Sequence, residues 1–145
     1  MSDFWLWLHV VAAGIWLGGL VLLAVVAVVG LRRLERDAFR RLLAGVGRSF
    51  GVLSGLVWLL LAISGFALAR ARVASFADLP RTPAGRLVET KVSLSVLVIA
   101  AAAVHTVLGR RTESRSAIIV SRALAILIFA ATLVLYYLGV RLGSY

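Results

Sequence analysis

The residue that first points to chemistry is a histidine inside an apolar segment near the start of the chain. His9 is one of two histidines in the sequence and lies in a stretch that also holds three of the four tryptophans. A ligating or ionisable group at membrane depth is costly to keep, which makes it a candidate functional site. On a helix, Trp5, Ala12, Ala13 and Trp16 share a face with His9. This face, an imidazole over a shallow alanine floor between two indoles, suits a flat, bulky group or a neighbouring helix.

Three further candidates lie later in the chain: Lys91 and His105 in the third apolar segment and Arg122 in the fourth. On a helix, Lys91 and His105 share a face with Ser95. A neutral imidazole binds metal ions and haem iron, whereas a cation pairs with carboxylates such as haem propionates. A lysine desolvated among helices can also lose its proton and act as a base or a ligand. Simpler interpretations stay open, because the two cations can extend to the headgroups and His105 can bond a backbone carbonyl.

The composition indicates that membrane helices position these residues. Hydrophobic residues make up 62% of the 145-residue chain and the mean hydropathy is +1.03, which is typical of an integral membrane protein rather than a soluble domain. Four apolar spans can each cross roughly 30 Å of hydrocarbon as a helix, about residues 4–30, 47–69, 87–108 and 117–140. The first span is too long for a cleaved signal and lacks preceding basic residues. We predict one domain, residues 1–145, folded as an all-α integral membrane four-helix bundle.

The distribution of basic residues predicts the orientation of the helices. The connection between the first and second spans carries six arginines, and the connection between the third and fourth spans carries four. The second connection and the C-terminal end, on the opposite side of the membrane, carry six lysines and arginines in total, and the net charge of the chain is +10. The positive-inside rule then places both termini outside and the first and third connections in the cytoplasm of a bacterial-type inner membrane. Because the arginines cluster between apolar spans, they favour membrane lipids with anionic headgroups over nucleic acid as partners.

Depth along the helices separates the candidates into two sites. With both termini outside, His9 and Lys91 lie about 8 Å and 6 Å below the outer helix ends, at one level. His105 lies roughly 20 Å deeper, near the level of Arg122. The sequence therefore predicts an outer site with His9 and Lys91 and an inner site with His105 and Arg122. The two histidines cannot hold a single metal ion between them.

Small residues indicate which helix faces make close contacts. Gly14 and Gly18 form a GxxxG pair in the first helix, and Gly47, Gly51 and Gly55 continue that spacing in the second, followed by Ser64 and Gly65. Such positions let helix backbones approach closely in lipid. We expect these faces to form helix contacts. In a structural subunit of a larger membrane complex, Gly51 and Gly55 are the positions expected to be sensitive to bulkier side chains.

The composition also excludes several chemistries. Without cysteine the chain has no disulfide, no thiolate metal site and no thiol redox reaction. Soft Cu(I) prefers thiolate and thioether ligands, and the only thioether belongs to Met1, so residue types give a dedicated copper site little support. The six acidic residues form no cluster at membrane depth, and the sequence contains no hydrolase triad or phosphate-binding loop.

The first helix also resembles a known family. The sequence LHVVAAGIWLGG at positions 8–19 resembles the opening helix of the copper-resistance protein D (CopD) domain family. Ser64 and Gly65, at the end of the second span, are similar to a Thr/Ser-Gly pair of that family, and residues 87–91 are similar to its lysine-bearing third helix. The resemblance spans most of the chain, although only the first motif is specific. It implies a CopD-like membrane domain, and the family name implies copper transport or resistance.

A weaker similarity connects the chain with the HemJ-type protoporphyrinogen oxidases, small membrane proteins associated with haem b. His9 and Lys91 match a histidine and a lysine in the first and third helices of that family, and Arg122 resembles an arginine that opens its fourth helix. Trp16 is similarly placed after the histidine, and His105 stands three residues later than a comparable histidine. The chain lacks the Asn-Glu that follows that arginine and has a glycine pair at positions 18 and 19, which favours CopD-like membership over oxidase activity.

These observations predict a CopD-like inner-membrane protein that binds haem b through His9 and serves electron transfer or the oxidation of a quinone- or porphyrin-like substrate. Lys91 is the candidate catalytic residue, near the haem propionates or as a second ligand. His9 and His105 are candidate metal ligands, and the candidate cofactor-binding residues are His9, Trp16, Lys91, His105 and Arg122. Two alternatives stay open: a component of copper transport or resistance, and a structural subunit that works as a homo-oligomer or with a partner membrane subunit.

Overall fold

The computed structural model describes residues 2–72, 76–109 and 115–143, which are almost entirely helical. Each of the four α-helices is long and apolar enough to cross a membrane, which confirms the prediction of an all-α protein with four membrane helices. Every helix extends beyond its predicted span at both ends. The bounds are α1 Ser2–Arg33, α2 Arg36–Arg72, α3 Pro83–Gly109 and α4 Arg115–Gly143, with a short 3₁₀ helix at Phe76–Arg81.

The chain divides into two compact units, residues 1–71 and 72–145. In the first unit α1 and α2 run antiparallel, because His9 near the start of α1 contacts Ser64 late in α2, and Gly30 near the end of α1 contacts Phe39 early in α2. In the second unit α3 and α4 also run antiparallel, because Lys91 early in α3 lies beside Gly139 late in α4, and His105 late in α3 contacts Ser121 early in α4. Each unit is therefore built around one helix pair.

The connection between α1 and α2 is a tight turn rather than a long loop. α1 ends at Arg33 and α2 begins at Arg36, and the Leu34 amide donates to the Gly30 carbonyl at 3.0 Å. A Cβ on Gly30 would lie 2.7 Å from the Phe39 ring, so this glycine lets the first turn of α2 pack against α1. Arginine, alanine and leucine favour helix, and no glycine or proline interrupts residues 31–44. The arginines of this connection therefore lie on helical extensions of the two membrane spans.

A tryptophan sets the register of the first pair. Trp16 is 5% exposed, and its ring stacks on Phe50 of α2 with the centroids 5.6 Å apart. The edge of Trp58 meets it at 5.2 Å. The Phe50 ring fills the space beside Gly19, where a Cβ would overlap with it. Ring pairs have preferred stacked and edge-to-face geometries, so these contacts hold α1 at one position along α2.

The start of the second pair is determined by a helix cap. Thr82 precedes Pro83, and the Gly85 amide donates to Thr82 Oγ1 at 3.0 Å. A capping hydroxyl followed by proline at the first helical position is a favoured start, and α3 begins at Pro83, four residues before the predicted span. Buried residues then follow along the two helices, among them Val98, Ile128, Thr132 and Leu135.

The glycine-lined faces make few of the contacts expected of them within the first helix pair. No atom lies within 4 Å of the Cβ position at four of these residues, Gly18, Gly47, Gly51 and Gly55. Gly65, at the end of the predicted run of small residues, does lie in close contact with α1, because a Cβ there would be 3.3 Å from the His9 ring. The other close contacts occur at Gly19 and Gly30 of α1, where phenylalanine rings of α2 occupy the space. Within this pair, side chains rather than a second backbone therefore fill the space beside the glycines.

Candidate cofactor site

His9 lies against the last third of α2, near the beginning of α1. Its Nδ1 is 3.0 Å from the hydroxyl of Ser64, a residue with no exposed surface. Beside this contact, a Cβ on Gly65 would lie 3.3 Å from His9 Cε1, closer than most real contacts of this kind. His9 itself is half-buried. α2 therefore presents a buried hydroxyl and an unobstructed stretch of backbone to the imidazole.

The hydrogen bonds of Ser64 determine which nitrogen of His9 carries the proton. The Ser64 hydroxyl donates its single proton to the Leu60 carbonyl at 2.6 Å. It therefore accepts a hydrogen bond from His9 Nδ1, and in the neutral ring the lone pair lies on Nε2. Metal-binding histidines commonly donate from one ring nitrogen to a protein oxygen while the other nitrogen binds the metal. The residues around His9 thus fit an imidazole that coordinates haem iron.

Trp16 follows His9 by two helical turns and is enclosed between aromatic rings of α2. Phe50 and Trp58 cover it from two directions. Ala12, which lies between the histidine and the tryptophan on this face, is 1% exposed. The predicted face of α1 is therefore largely used for packing, with the imidazole nearer the start of the helix. A role for Trp16 in binding a cofactor stays a prediction.

Lys91 belongs to the second unit, where its side chain reaches α4. It is half-buried, and its Nζ lies 3.4 Å from the position of a Cβ on Gly139. Ser95, one turn further along α3, donates its hydroxyl to the Lys91 carbonyl at 2.8 Å. The absence of a side chain at Gly139 leaves room for the ammonium group against α4. Sequence reasoning did not single out Gly139, because the contact depends on how α4 is rotated about its axis.

His105 contacts Ser121 of α4. Its Nδ1 lies 2.9 Å from the Ser121 carbonyl and 3.0 Å from the Ser121 hydroxyl. The bond to a carbonyl is the simpler interpretation that the sequence left open. Arg122 is the next residue along α4 and is exposed. A shared role for His105 and Arg122 at a cofactor stays a prediction, since the contact that the structure shows is with Ser121.

The candidate ligands of the described residues stand singly. Within residues 2–72, 76–109 and 115–143, no three histidine or carboxylate side chains are grouped around a common point. Lys91 and His105 stand fourteen positions apart on α3, about 21 Å along the helix axis, so they cannot bind one ion together. Haem iron is coordinated by its porphyrin and needs only one or two axial ligands from the protein. Single imidazoles fit that requirement.

The chain matches no protein-family model, curated protein or solved structure with which it was compared. The resemblances to the CopD and HemJ-type families therefore stay predictions. So does the pairing of His9 with Lys91 at one cofactor, because the two residues belong to different compact units. The geometry on which a function can be argued is the contact of His9 with Ser64 and Gly65.

Proposed function

We propose that this chain is a CopD-like, multi-pass protein of a bacterial-type inner membrane that binds haem b through Nε2 of His9 and serves electron transfer. The observation that carries the proposal is the hydrogen bond between His9 Nδ1 and the buried hydroxyl of Ser64. Four helices of membrane length support the placement in a bilayer. Haem b, when bound, supplies one-electron transfer, while the protein supplies the axial ligand and its orientation.

A second observation supports the family assignment. The two segments of α1 and α2 that resemble the CopD family are the ones that carry His9 and the Ser64–Gly65 pair. These segments stand 55 positions apart in the chain, yet the histidine of one is hydrogen-bonded to the serine of the other. A hydroxyl followed by glycine is the combination that this contact needs, because the hydroxyl accepts from the ring and the glycine leaves room for it. The resemblance and the geometry therefore single out the same residues.

Each residue around the imidazole has a separate task in this proposal. Ser64 holds the proton on Nδ1 and fixes the plane of the ring, and the Leu60 carbonyl keeps the hydroxyl in the accepting orientation. The stack of Trp16 on Phe50 keeps α1 from sliding along α2, which would separate His9 from Ser64. Lys91 belongs to the second unit, and its role as a cation for the propionate carboxylates or as a second ligand stays a prediction from the sequence. A quinone- or porphyrin-like molecule dissolved in the bilayer is the electron donor or substrate.

The experiment that tests the proposal is an absorbance spectrum of the detergent-purified protein, first air-oxidised and then reduced with dithionite. We expect a Soret band and reduced α and β bands in the wild type. His9→Ala removes the axial nitrogen and should abolish the absorbance of the site that it ligates. Ser64→Ala leaves the nitrogen but releases the ring, and should weaken haemin binding by roughly 10- to 100-fold, the usual effect of losing a residue that orients a metal ligand.

Ser54→Ala is the matched control. Ser54 lies in the same helix and donates to the Phe50 carbonyl at 2.6 Å, as Ser64 does to Leu60, but it does not contact His9. A variant at this position should bind haemin as the wild type does. Equal losses in the two serine variants would show that the effect comes from α2 as a whole. A colourless wild type grown with a haem precursor would overturn the proposal, and metal analysis would then distinguish copper binding from a structural subunit.

A further inference from the structure

The second helix pair contains a histidine that the proposed site does not use. His105 lies four residues before the end of α3 and is half-buried. Its contact is with Ser121 in the second turn of α4, across the pair rather than along its own helix. Its neighbour Thr106, by contrast, donates its hydroxyl to the Ala102 carbonyl of the same helix at 2.8 Å. His105 is therefore held by the tertiary structure of the second unit, as His9 is held by that of the first.

The hydrogen bonds of His105 place its proton on Nδ1. The Ser121 carbonyl can only accept, so at 2.9 Å it must receive a proton from Nδ1. The Ser121 hydroxyl lies 3.0 Å from the same nitrogen and is a second acceptor for that proton. The lone pair of the neutral ring is consequently on Nε2. Within the part of the chain that the structure describes, this nitrogen has no hydrogen-bond partner.

The two histidines thus share one arrangement in two separate units. Each lies on the first helix of its pair, each donates from Nδ1 to a serine on the second helix, and each has its lone pair on Nε2. An oriented Nδ1 donor is the arrangement by which proteins prepare Nε2 for a metal. The sequence predicts that His105 lies roughly 20 Å deeper than His9, so the two rings are not expected to share one iron.

We propose that His105 is the axial ligand of a second haem, so that the chain binds two haems, one in each unit. The identity of the cofactor rests on the proposed function, but the second site is argued from its own geometry. Ser121 is a positioning residue here. It offers His105 Nδ1 two acceptors, its carbonyl and its hydroxyl, whereas Ser64 offers His9 Nδ1 only its hydroxyl. Removing the Ser121 hydroxyl leaves the carbonyl bond, whereas removing the Ser64 hydroxyl leaves His9 Nδ1 without its serine partner.

The test is the haem content per chain of the purified protein after reconstitution with haemin, together with a redox titration. The wild type should hold two haems per chain and titrate as two components. His9→Ala and His105→Ala should each hold one haem and lose a different component. Thr106→Ala, next to the ligand but bonded within its own helix, is the control and should behave as the wild type.

The outcomes separate this inference from the proposed function. One haem per chain, lost in His9→Ala and retained in His105→Ala, overturns the second site and leaves the proposed function intact. No haem in any variant overturns both. If His105→Ala does not fold, the wild type still decides, because a titration with a single component and one haem per chain contradicts the inference. Recovery of the lost component in His105→Gly on addition of imidazole supports it, since free imidazole replaces the ligand but not a packing side chain.

Discussion

At the scale of single residues, the distinguishing feature of this chain is how its two imidazoles are hydrogen-bonded. Membrane helices usually satisfy hydroxyl groups within the helix, and Ser54, Ser95, Thr106 and Thr132 do so here by bonding the carbonyl four residues earlier. A histidine cannot satisfy the hydrogen bonds of both ring nitrogens within its own helix in this way. His9 and His105 therefore depend on a second helix, and the serine that each meets decides where the proton resides. Which ring nitrogen keeps its lone pair for a metal ion is therefore decided by the residue that accepts the hydrogen bond from Nδ1.

A prediction at this scale concerns the cation on α3. If Lys91 pairs with propionate carboxylates, wild-type protein should bind haemin more tightly than haemin dimethyl ester. A hydrogen bond to a charged group contributes about 1.5–3 kcal/mol, so we expect a preference of roughly tenfold or more. Lys91→Met should lower the affinity for haemin and leave that for the ester nearly unchanged. Spectroscopic titration of both ligands measures the difference.

The control for Lys91→Met is Arg86→Met. Arg86 is an exposed cation on the same helix, and its guanidinium faces the Pro80 carbonyl at 3.5 Å. Its replacement changes the net charge by the same amount but leaves the contact of Lys91 with Gly139 in place. Equal loss of the haemin preference in both variants would show a general effect of positive charge and would contradict a specific role for Lys91.

At the scale of elements, the first helix pair is held by aromatic side chains that enter glycine positions of α1. Phe50 fills the space beside Gly19 and stacks on Trp16, and Phe39 fills the space beside Gly30. The adjacent Gly18 has no neighbour within 4 Å. Two consecutive glycines therefore have different tasks, although the sequence presents them as one pair. The register that these contacts impose is also the register that brings His9 to Ser64.

This difference gives a prediction for the pair. Gly19→Ala places a methyl group where the Phe50 ring lies, and the ring cannot move away without breaking its stack on Trp16. We expect a loss of stability of about 1–3 kcal/mol, as for overpacked sites. Gly18→Ala adds a methyl to open space and removes a flexible residue from the helix, so stability should be unchanged or raised by up to about 1 kcal/mol. Thermal midpoints in detergent compare the two variants.

The Gly19→Ala variant should also bind haemin less well, because a shifted α1 carries His9 away from Ser64. A variant with a lowered midpoint and unchanged haemin affinity would show that the register of the pair does not control the ligand. Equal midpoints for Gly18→Ala and Gly19→Ala would contradict the packing described for Phe50.

At the scale of the whole molecule, the feature that governs orientation is the arginine-bearing turn between α1 and α2. The turn is short, and the helices on both sides of it continue past the apolar spans, so the arginines are carried on rigid helix. Anionic headgroups attract such a cluster, and translocating it is costly. We therefore expect this turn to stay in the cytoplasm and both termini to lie outside.

The absence of cysteine from the sequence makes this orientation directly testable. Single cysteines are introduced at two exposed positions at opposite ends of α2, Glu35→Cys beside the turn and Ala71→Cys at the far end. A membrane-impermeant maleimide added to intact spheroplasts should label position 71 and reach position 35 only after the membrane is opened. The reverse pattern would show that the basic-residue count predicts the wrong orientation.

Much of the architecture could be predicted from the sequence alone. Hydropathy and length are properties of consecutive residues, so the membrane class and the four helices follow from them. The same local reasoning identified His9, Lys91 and His105 as unusual groups. Helix bounds were less accurate, because the ends of a helix in a membrane protein are set by helix propensity and caps rather than by the edge of the apolar span.

Only the tertiary structure decided which groups meet. The pairing of His9 with Ser64, the position of Gly139 beside Lys91, and the contact of His105 with Ser121 depend on the rotation and register of one helix against another. The periodicity of residues along a single helix gives neither the rotation nor the register, because side-chain packing between helices determines both. For the same reason the sequence predicted contacts along whole glycine-lined faces, whereas the first helix pair uses Gly65 of the predicted run together with Gly19 and Gly30, each of the last two filled by a phenylalanine of α2.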